Sequence, residues 1–149
     1  MGERTPHMDP DARAAFVGIT ASHTRAYLVR AILEGVSFSL RECLEIFREL
    51  GLPIDKIRLG GGGAESSLWR QIQADVYGQS VELLKAEEGA AFGAAILAGV
   101  GGGSWSTVDE ACRQTIAVRE TIEPNAANRK SLDERYAAYR SLYPALRGI

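Results

Sequence analysis

Four consecutive glycines, residues 60–63, stand between a strand-like run and a helical pattern. The run 57–59 favours a strand, and the pair Ser66-Ser67 opens a stretch with apolar residues at helical spacing. Because glycine has no Cβ and tolerates positive φ, backbone in such a turn can approach a ligand closely. The helix that follows offers unpaired N–H groups and a positive dipole end, which suit phosphate or a base edge. The sequence therefore predicts an α/β protein with a ligand site at this turn.

The turn also has a plainer interpretation, because α/β proteins often join a strand to a helix through glycine, and that alternative stays open. The residues of the turn exclude two familiar nucleotide-binding motifs. The Gly-x-x-x-x-Gly-Lys of a P-loop is missing, and in a Gly-x-Gly-x-x-Gly fingerprint starting at Gly61 the third glycine is replaced by Ser66. A nucleotide that binds here must therefore bind by another scheme.

Composition limits the class of protein. The 149 residues suffice for one domain with a hydrophobic core. The net charge is −2, and acidic and basic residues are interspersed without a Lys/Arg-rich run. This pattern argues against a nucleic-acid-binding surface.

Cysteine usage and hydropathy indicate a cytoplasmic protein. Cys43 and Cys112 have no metal-ligand spacing and are expected to be free thiols in a reducing compartment. The start of the chain is polar where a signal peptide would be apolar. The longest apolar stretch, 89–103, is too short and too rich in glycine to span a bilayer.

Periodicity and breaker residues predict alternating strands and helices. In chain order we expect a leading loop at 1–13, a strand at 14–19, a long helix from His23 to about Leu50 with Ser22 as N-cap, a strand at 54–59, a helix at 67–77, a strand at 81–84, a buried helix at 89–100, a short helix at 107–115 capped by Thr107, an edge strand at 116–123, and a final helix from Asn125 or Asn128 to Pro144. The long helix should cover a mostly parallel sheet. The turns at 18–20, 60–67 and 87–88 should then meet at one rim, where such sheets bind ligands.

Four side chains near this rim each have a structural and a functional interpretation. Trp69 could stack on a base, but a tryptophan at helical spacing is more often packed in a core or interface. His23 fits the surface of a first helical turn better than a catalytic role. Glu87 and Glu88 could act as acid and base or bind a metal, but carboxylates at a helix start more often complement the dipole.

Several stretches together resemble a known family. They are residues 1–7, 9–13, 16–20, 22–26, 59–67 and 88–95. The chain resembles the FGGY sugar kinases over residues 1 to about 124, and within them the members that act on ketopentoses. The blocks 60–67 and 88–95, in that order and spacing, carry the specificity of the resemblance. Mild departures are Met8, where tryptophan is frequent, and Ala14, where glycine is frequent.

The resemblance implies a fold and a place within it. FGGY kinases share the fold of actin, hexokinase and the heat-shock chaperone ATPases, with two ribonuclease-H-like domains and a cleft for ATP and sugar. This chain would be the later part of the second, C-terminal domain, incomplete at its N-terminal side. The chain would be a piece of a longer kinase that phosphorylates a ketopentose such as D-xylulose. The sugar would be bound mainly by the N-terminal domain, which also carries the catalytic base, so the chain alone should be inactive.

The resemblance also assigns residues to the nucleotide, ATP with Mg²⁺. Gly61, Gly62 and Gly63 would lie against the adenosine, with Ser66 or Ser67 near the base. Gly18 and Ser22 would lie near the phosphates. No residue of this chain is assigned to catalysis or to direct metal binding.

Two further hypotheses remain open. The chain can be a non-catalytic nucleotide-binding or self-associating module, for example a homodimer formed through an exposed sheet edge. A dinucleotide-binding protein with Glu82 or Glu87 on the ribose is disfavoured by the glycine spacing.

Overall fold

The computed structural model describes residues 2–85 and 89–148. The helices are α1 (Arg25–Glu49), α2 (Ser67–Tyr77), α3 (Gly89–Gly101), α4 (Val108–Thr115) and α5 (Arg129–Leu146), the strands are β1 (Ile57–Leu59), β2 (Val81–Leu84) and β3 (Val118–Ile122), and short 3₁₀ turns cover Gly62–Glu65 and Ala126–Asn128. None of the helices in this described part is long and apolar enough to cross a membrane.

The three strands form one mixed sheet in the order β1-β2-β3. β1 runs parallel to β2, with Ile57 opposite Val81, whereas β3 runs antiparallel to β2, with Ile122 opposite Val81. The expected mostly parallel sheet is therefore wrong for β3, although its edge position is confirmed. Helices α3 and α4 lie between β2 and β3 in the chain.

The elements with local capping signals are confirmed. The Ser66 hydroxyl accepts a hydrogen bond from the Trp69 N–H (3.3 Å) at the start of α2, and Gly78 ends that helix with φ 63°. Thr107 caps α4 by accepting from the Glu110 N–H (3.1 Å). These contacts lie within four residues of chain, so sequence alone predicts them.

The predicted strand at 14–19 is wrong. This stretch is irregular, and its apolar side chains Phe16, Val17 and Ile19 are about half exposed. A strand needs a neighbour for its ladder of hydrogen bonds, and within residues 2–85 and 89–148 no strand pairs with this stretch.

Helix α1 packs against α2 and α5, not over the sheet as predicted. The core where these helices meet β2 contains Phe38, Ile72, Ala74, Val76, Tyr77, Val81, Leu132 and Tyr136. The face of α1 turned to α5 carries charge: buried Glu34 accepts from Arg135 (2.9 Å), and buried Arg41 donates to Asp133 (2.7 Å). These pairs let the polar face of α1 enter an interface.

The apolar stripe of α1 is consequently left in the open. We define it as Val29, Ile32, Val36, Leu40 and Phe47, whose exposed fractions lie between 42% and 52%. These residues recur at intervals of three, four and seven, so they share one side of the helix. The sequence pattern predicts that one face of this helix covers a sheet, and that face consists of Leu28, Ile32, Val36, Leu40, Cys43 and Phe47. Four of these six residues belong to the exposed stripe, while Leu28 and Cys43 are partly buried.

Two further predictions are corrected. Helix α3 is not buried, since only Ile96 among its residues is fully buried; its contacts are chiefly with α4. Helix α5 does not end at Pro144 but continues to Leu146. Proline there removes one N–H from the ladder, and a position in the last turn limits the disruption.

The leading loop is confirmed as a loop and is fastened to α5. The His7 ring stacks on the Tyr143 ring with centroids 3.7 Å apart, and the Tyr143 hydroxyl donates to the Asp9 carboxylate (2.8 Å). That hydrogen bond lowers the pKa of Asp9. These two contacts hold the part of the loop around His7 and Asp9 against α5.

The Asp133 ion pairs predict a measurable pH dependence. Burial works to raise the pKa of Asp133, but hydrogen bonds from Arg41 and Arg129 outweigh it and hold the pKa below 3.8. The pairs therefore stabilise the fold above that ordinary value, and the gain is lost as pH falls through the folded-state pKa. Between about pH 5 and pH 2, urea unfolding should show wild type losing up to about 1 kcal/mol more than Asp133→Asn. Equal losses in both proteins would contradict the assignment.

Candidate functional site

The glycine turn after β1 exposes backbone on its outer side. Gly61 has φ 78° and ψ 175°, a conformation that is essentially restricted to glycine. A Cβ added to Gly60, Gly61 or Gly62 would meet nothing within 4 Å. The turn therefore forms an open cradle of three glycines, defined here as Gly60, Gly61 and Gly62.

Gly63, the fourth glycine, faces inwards instead. A Cβ at this position would overlap the Trp69 ring and lie 2.7 Å from its Cε3 atom. Trp69 is half-buried and packs against the core, and its Nε1 donates to the Ser37 hydroxyl (3.2 Å). The structural interpretation of Trp69 is confirmed, because the ring is held beneath the turn.

The two serines differ in their roles at the start of α2. Ser66 caps the helix and accepts from the Trp69 N–H, so its own hydroxyl hydrogen can still be donated to a ligand. Ser67 is the first residue of α2 and is exposed. Both lie directly beside the cradle in the chain.

Gly18 and Ser22 are the residues that the resemblance assigned to the phosphates. Gly18 is exposed with φ 79°, and a Cβ there would meet nothing within 4 Å. Ser22 was predicted to be the N-cap of α1, and this is wrong. The helix begins at Arg25, and Thr24 is its N-cap residue. The Ser22 hydroxyl instead lies 2.8 Å from the Thr20 hydroxyl, and the Thr20 N–H donates to His23 Nδ1 (2.9 Å).

This segment borders a cavity of about 500 Å³ beside α1. Gly18 and His23 line one part of the cavity, and the Arg30, Glu34 and Arg135 side chains line another. Glu34 accepts from Arg30 (2.6 Å) and from Arg135 (2.9 Å). The chain segment that precedes α1 lines the cavity with the apolar side chains of Phe16, Val17 and Ile19 as well as with Gly18 and His23. An ion-pair cluster lies on the helical wall.

The first turns of α1 and α2 share a groove. It has a volume of about 330 Å³ and is lined by Arg25, Val29 and Arg30 of α1 and by Leu68 of α2, among others. Neither helix has an acidic residue in its first turn, so the positive ends of both dipoles are left for an anion. Sequence reasoning missed Arg25 as a candidate site residue. The sequence signal that could have found it is a basic residue at the start of a helix, where an acidic residue is usual.

Glu87 and Glu88 lie outside the described residues, and with them the third turn of the expected rim. Within the described part of the chain, no cluster of three or more His, Cys, Asp or Glu side chains is placed to hold a metal. Burial raises the pKa of Glu42 and Tyr136, and both residues belong to the α1–α5 interface.

Comparison with known sequences identifies close relatives. Residues 1–102 match the FGGY family of carbohydrate kinases, C-terminal domain. The xylulose kinase of Staphylococcus epidermidis is 41% identical over 142 residues, which are 95% of this chain and 29% of that protein. The xylulose kinase of Bacillus subtilis is 38% identical over 143 residues, 96% of this chain and 29% of that protein.

Comparison with solved structures agrees. The xylulose kinase of Rhodospirillum rubrum superposes with a TM-score of 0.81 at 34% identity, covering 93% of this chain and 28% of that one. A glycerol kinase of Plasmodium falciparum, solved with ADP, superposes with a TM-score of 0.74 at 27% identity, covering 95% of this chain and 29% of that one. The chain shares the α/β fold of the matching part of these sugar kinases and spans 29% of the length of its curated relatives. The family match over residues 1–102 and relatives 41% and 38% identical show that the chain belongs to the FGGY family of carbohydrate kinases.

Proposed function

We propose that this chain forms the ATP-binding side of a carbohydrate kinase that phosphorylates a ketopentose such as D-xylulose. The observation that carries the proposal is the open cradle of three glycines at the start of α2. The family match and the xylulose kinases among its relatives support the substrate class. In this proposal the fold is the C-terminal ribonuclease-H-like domain of an actin- and hexokinase-type ATPase.

The nucleotide would lie along two segments. Its adenosine would rest on Gly61 and Gly62, where exposed backbone accommodates a flat base, with the hydroxyl of Ser66 or Ser67 near its edge. Its phosphates would point towards Gly18 and Ser22 and towards the N-terminus of α1, where the dipole favours negative charge. Mg²⁺ would be bound through the phosphates and would supply charge neutralisation for phosphoryl transfer.

Phosphoryl transfer would need more than this chain. We propose that the catalytic base and most sugar contacts come from the N-terminal domain of the full kinase. The free thiols of Cys43 and Cys112 are consistent with a cytoplasmic location for the reaction. The chain alone is expected to bind nucleotide without phosphorylating D-xylulose.

Calorimetry with the isolated chain tests this proposal. Mg-ATP and Mg-ADP should bind with detectable heat, whereas NADH, the ligand of a dinucleotide-binding protein, should not. A coupled assay with D-xylulose and Mg-ATP should show no turnover. Binding of NADH without ATP would favour the dinucleotide alternative, and turnover near the rate of a full-length relative would contradict the division of labour.

The apolar stripe of α1 supports a second candidate function, self-association. Five apolar side chains that are about half exposed lie on one helix face, and exposed apolar patches mark interaction surfaces. In the isolated chain a second copy can cover the stripe and form a homodimer.

A charge placed in the stripe tests self-association. Sedimentation equilibrium should show a concentration-dependent mass for the wild-type chain and a monomer for Ile32→Glu, because a carboxylate is costly to bury in an apolar contact. Leu97→Glu is the matched control, since Leu97 is 62% exposed on α3, away from the stripe. A monomeric wild type, or loss of association in the control, would contradict this role.

A further inference from the structure

The Trp69 ring occupies the space beside one of the four glycines of the turn. It lies against Gly63, where a Cβ would come within 2.7 Å of Cε3, whereas Gly60, Gly61 and Gly62 are open. The ring therefore packs against the inner side of the turn, and the outer side of the turn stays open. A ligand on the outer side would meet the cradle and not the indole.

The far edge of the indole is fixed on another helix. Trp69 Nε1 donates to the Ser37 hydroxyl (3.2 Å), which in turn donates to the Leu33 carbonyl of α1 (2.8 Å). Ser37 is fully buried, so its hydroxyl has little freedom to turn elsewhere. An indole offers one donor, and here that donor is used to set the plane of the ring.

The turn is also held at its end. The Ala64 carbonyl accepts from Arg70 Nη1 (3.2 Å), and the Arg70 side chain is 12% exposed. Inside the turn, Gly63 O accepts from the Ser66 N–H (3.2 Å) and Gly61 O accepts from the Ala64 N–H (3.0 Å). The inner side of the turn is thus fixed to α1 and α2 while its outer side stays open.

We propose that Trp69, anchored by Ser37, is a positioning residue that sets the height and tilt of the cradle for the nucleotide. The proposal rests on the proposed function. It also changes the role of Gly63, which serves the site by admitting the Trp69 ring and not by touching adenosine. Ligands that bind the cradle should therefore sense changes at Trp69 and Ser37 without contacting either.

The chain contains a matched control for this arrangement. Gly99 faces the Trp105 ring, where an added Cβ would lie 2.8 Å from Cε3, and Trp105 Nε1 donates to Gln114 Oε1 (2.9 Å). The same glycine–tryptophan contact with an anchored indole is thus present in the α3–α4 region, away from the cradle. Substitutions there report the loss of such a contact without a change in the proposed site.

The test compares Mg-ADP affinities by calorimetry, with thermal unfolding to verify the fold. Relative to wild type, Trp69→Leu should bind about tenfold more weakly, and Ser37→Ala, which removes only the anchor, about threefold more weakly. Trp69→Phe removes both the anchor and part of the ring that lies against Gly63, and its loss should fall between about threefold and about tenfold. Gly63→Ala should cost about tenfold in the wild-type background but less than about twofold in Trp69→Leu, because the obstructing ring is gone. Trp105→Leu and Gly99→Ala should leave affinity unchanged.

Each outcome has one meaning. The positioning role would be overturned if the losses of Mg-ADP affinity in Gly63→Ala and Trp69→Leu were additive. It would also be overturned if the Gly99 and Trp105 controls lost as much affinity, because Trp69 would then contribute only to general stability. If Trp69→Leu does not fold, wild-type affinity in Ser37→Ala and Trp69→Phe would overturn it. A wild-type chain without affinity for Mg-ADP would overturn the proposed function itself, and the positioning role with it.

Discussion

Replacing Gly62 by valine is expected to weaken Mg-ATP binding to this chain at least about 100-fold, or about 2.7 kcal/mol. Gly62 has no positive φ, and the space around its missing Cβ is open. Valine therefore fits the backbone without left-handed strain and projects into the space where the adenosine would rest. The loss should appear in binding while thermal unfolding changes little.

A second exposed glycine gives the control for this substitution. Gly101, at the end of α3, also has no positive φ and no atom within 4 Å of an added Cβ. Gly101→Val should keep wild-type affinity for Mg-ATP by calorimetry. Full affinity in Gly62→Val would show that the nucleotide does not use the cradle.

Replacing Asp75 by alanine is expected to lower the free energy of unfolding by about 3 kcal/mol. The Asp75 carboxylate is 3% exposed and accepts from the Asn125 N–H (2.7 Å), Asn128 Nδ2 (2.7 Å) and Gln71 Nε2 (2.8 Å). It joins α2 to the turn that leads into α5. Alanine would leave the Asn125 N–H and Asn128 Nδ2 without this acceptor, whereas Gln71 Nε2 would still donate to the Glu123 carbonyl (2.9 Å). Partly buried unpaired donors are costly.

Urea denaturation measures this loss, with two comparisons. Asp75→Asn should lose less stability than Asp75→Ala, because the asparagine amide oxygen can still accept hydrogen bonds. Some stability should still be lost, because the asparagine NH₂ group would face another donor, Asn128 Nδ2. Asp109→Ala removes an ion pair with Arg113 in which both side chains are more than 70% exposed, and should cost less than about 0.5 kcal/mol. An Asp75→Ala protein as stable as Asp109→Ala would contradict the role assigned to the network.

Sequence reasoning succeeded where the deciding interactions are local. The bounds of α2 follow from the Ser66 cap and from Gly78, both adjacent to the helix. The glycine turn was predicted for the same reason, because glycine has no Cβ to cover its own backbone, and three of the four glycines are indeed open. The resemblance to FGGY kinases added the family, which the comparisons show.

Sequence reasoning failed where a distant partner decides. The apolar stripe of α1 predicted that this side of the helix is buried. The helix instead turns another face towards α5, where Arg41 pairs with Asp133 and Glu34 pairs with Arg135. These partners lie about 100 residues later in the chain, so the pattern within α1 does not reveal them. The stretch at 14–19 has strand-like side chains, yet a strand also requires a neighbouring ladder. The inward role of Gly63 depends on where the Trp69 ring packs, which spacing alone does not fix.

A crystal structure of this chain grown with Mg-ADP tests the central claim most directly. We expect adenosine density against Gly61 and Gly62, with the phosphates directed towards Gly18 and Ser22 and the Trp69 ring unmoved beneath Gly63. Nucleotide bound elsewhere on the chain, or an empty cradle at saturating Mg-ADP, would contradict it.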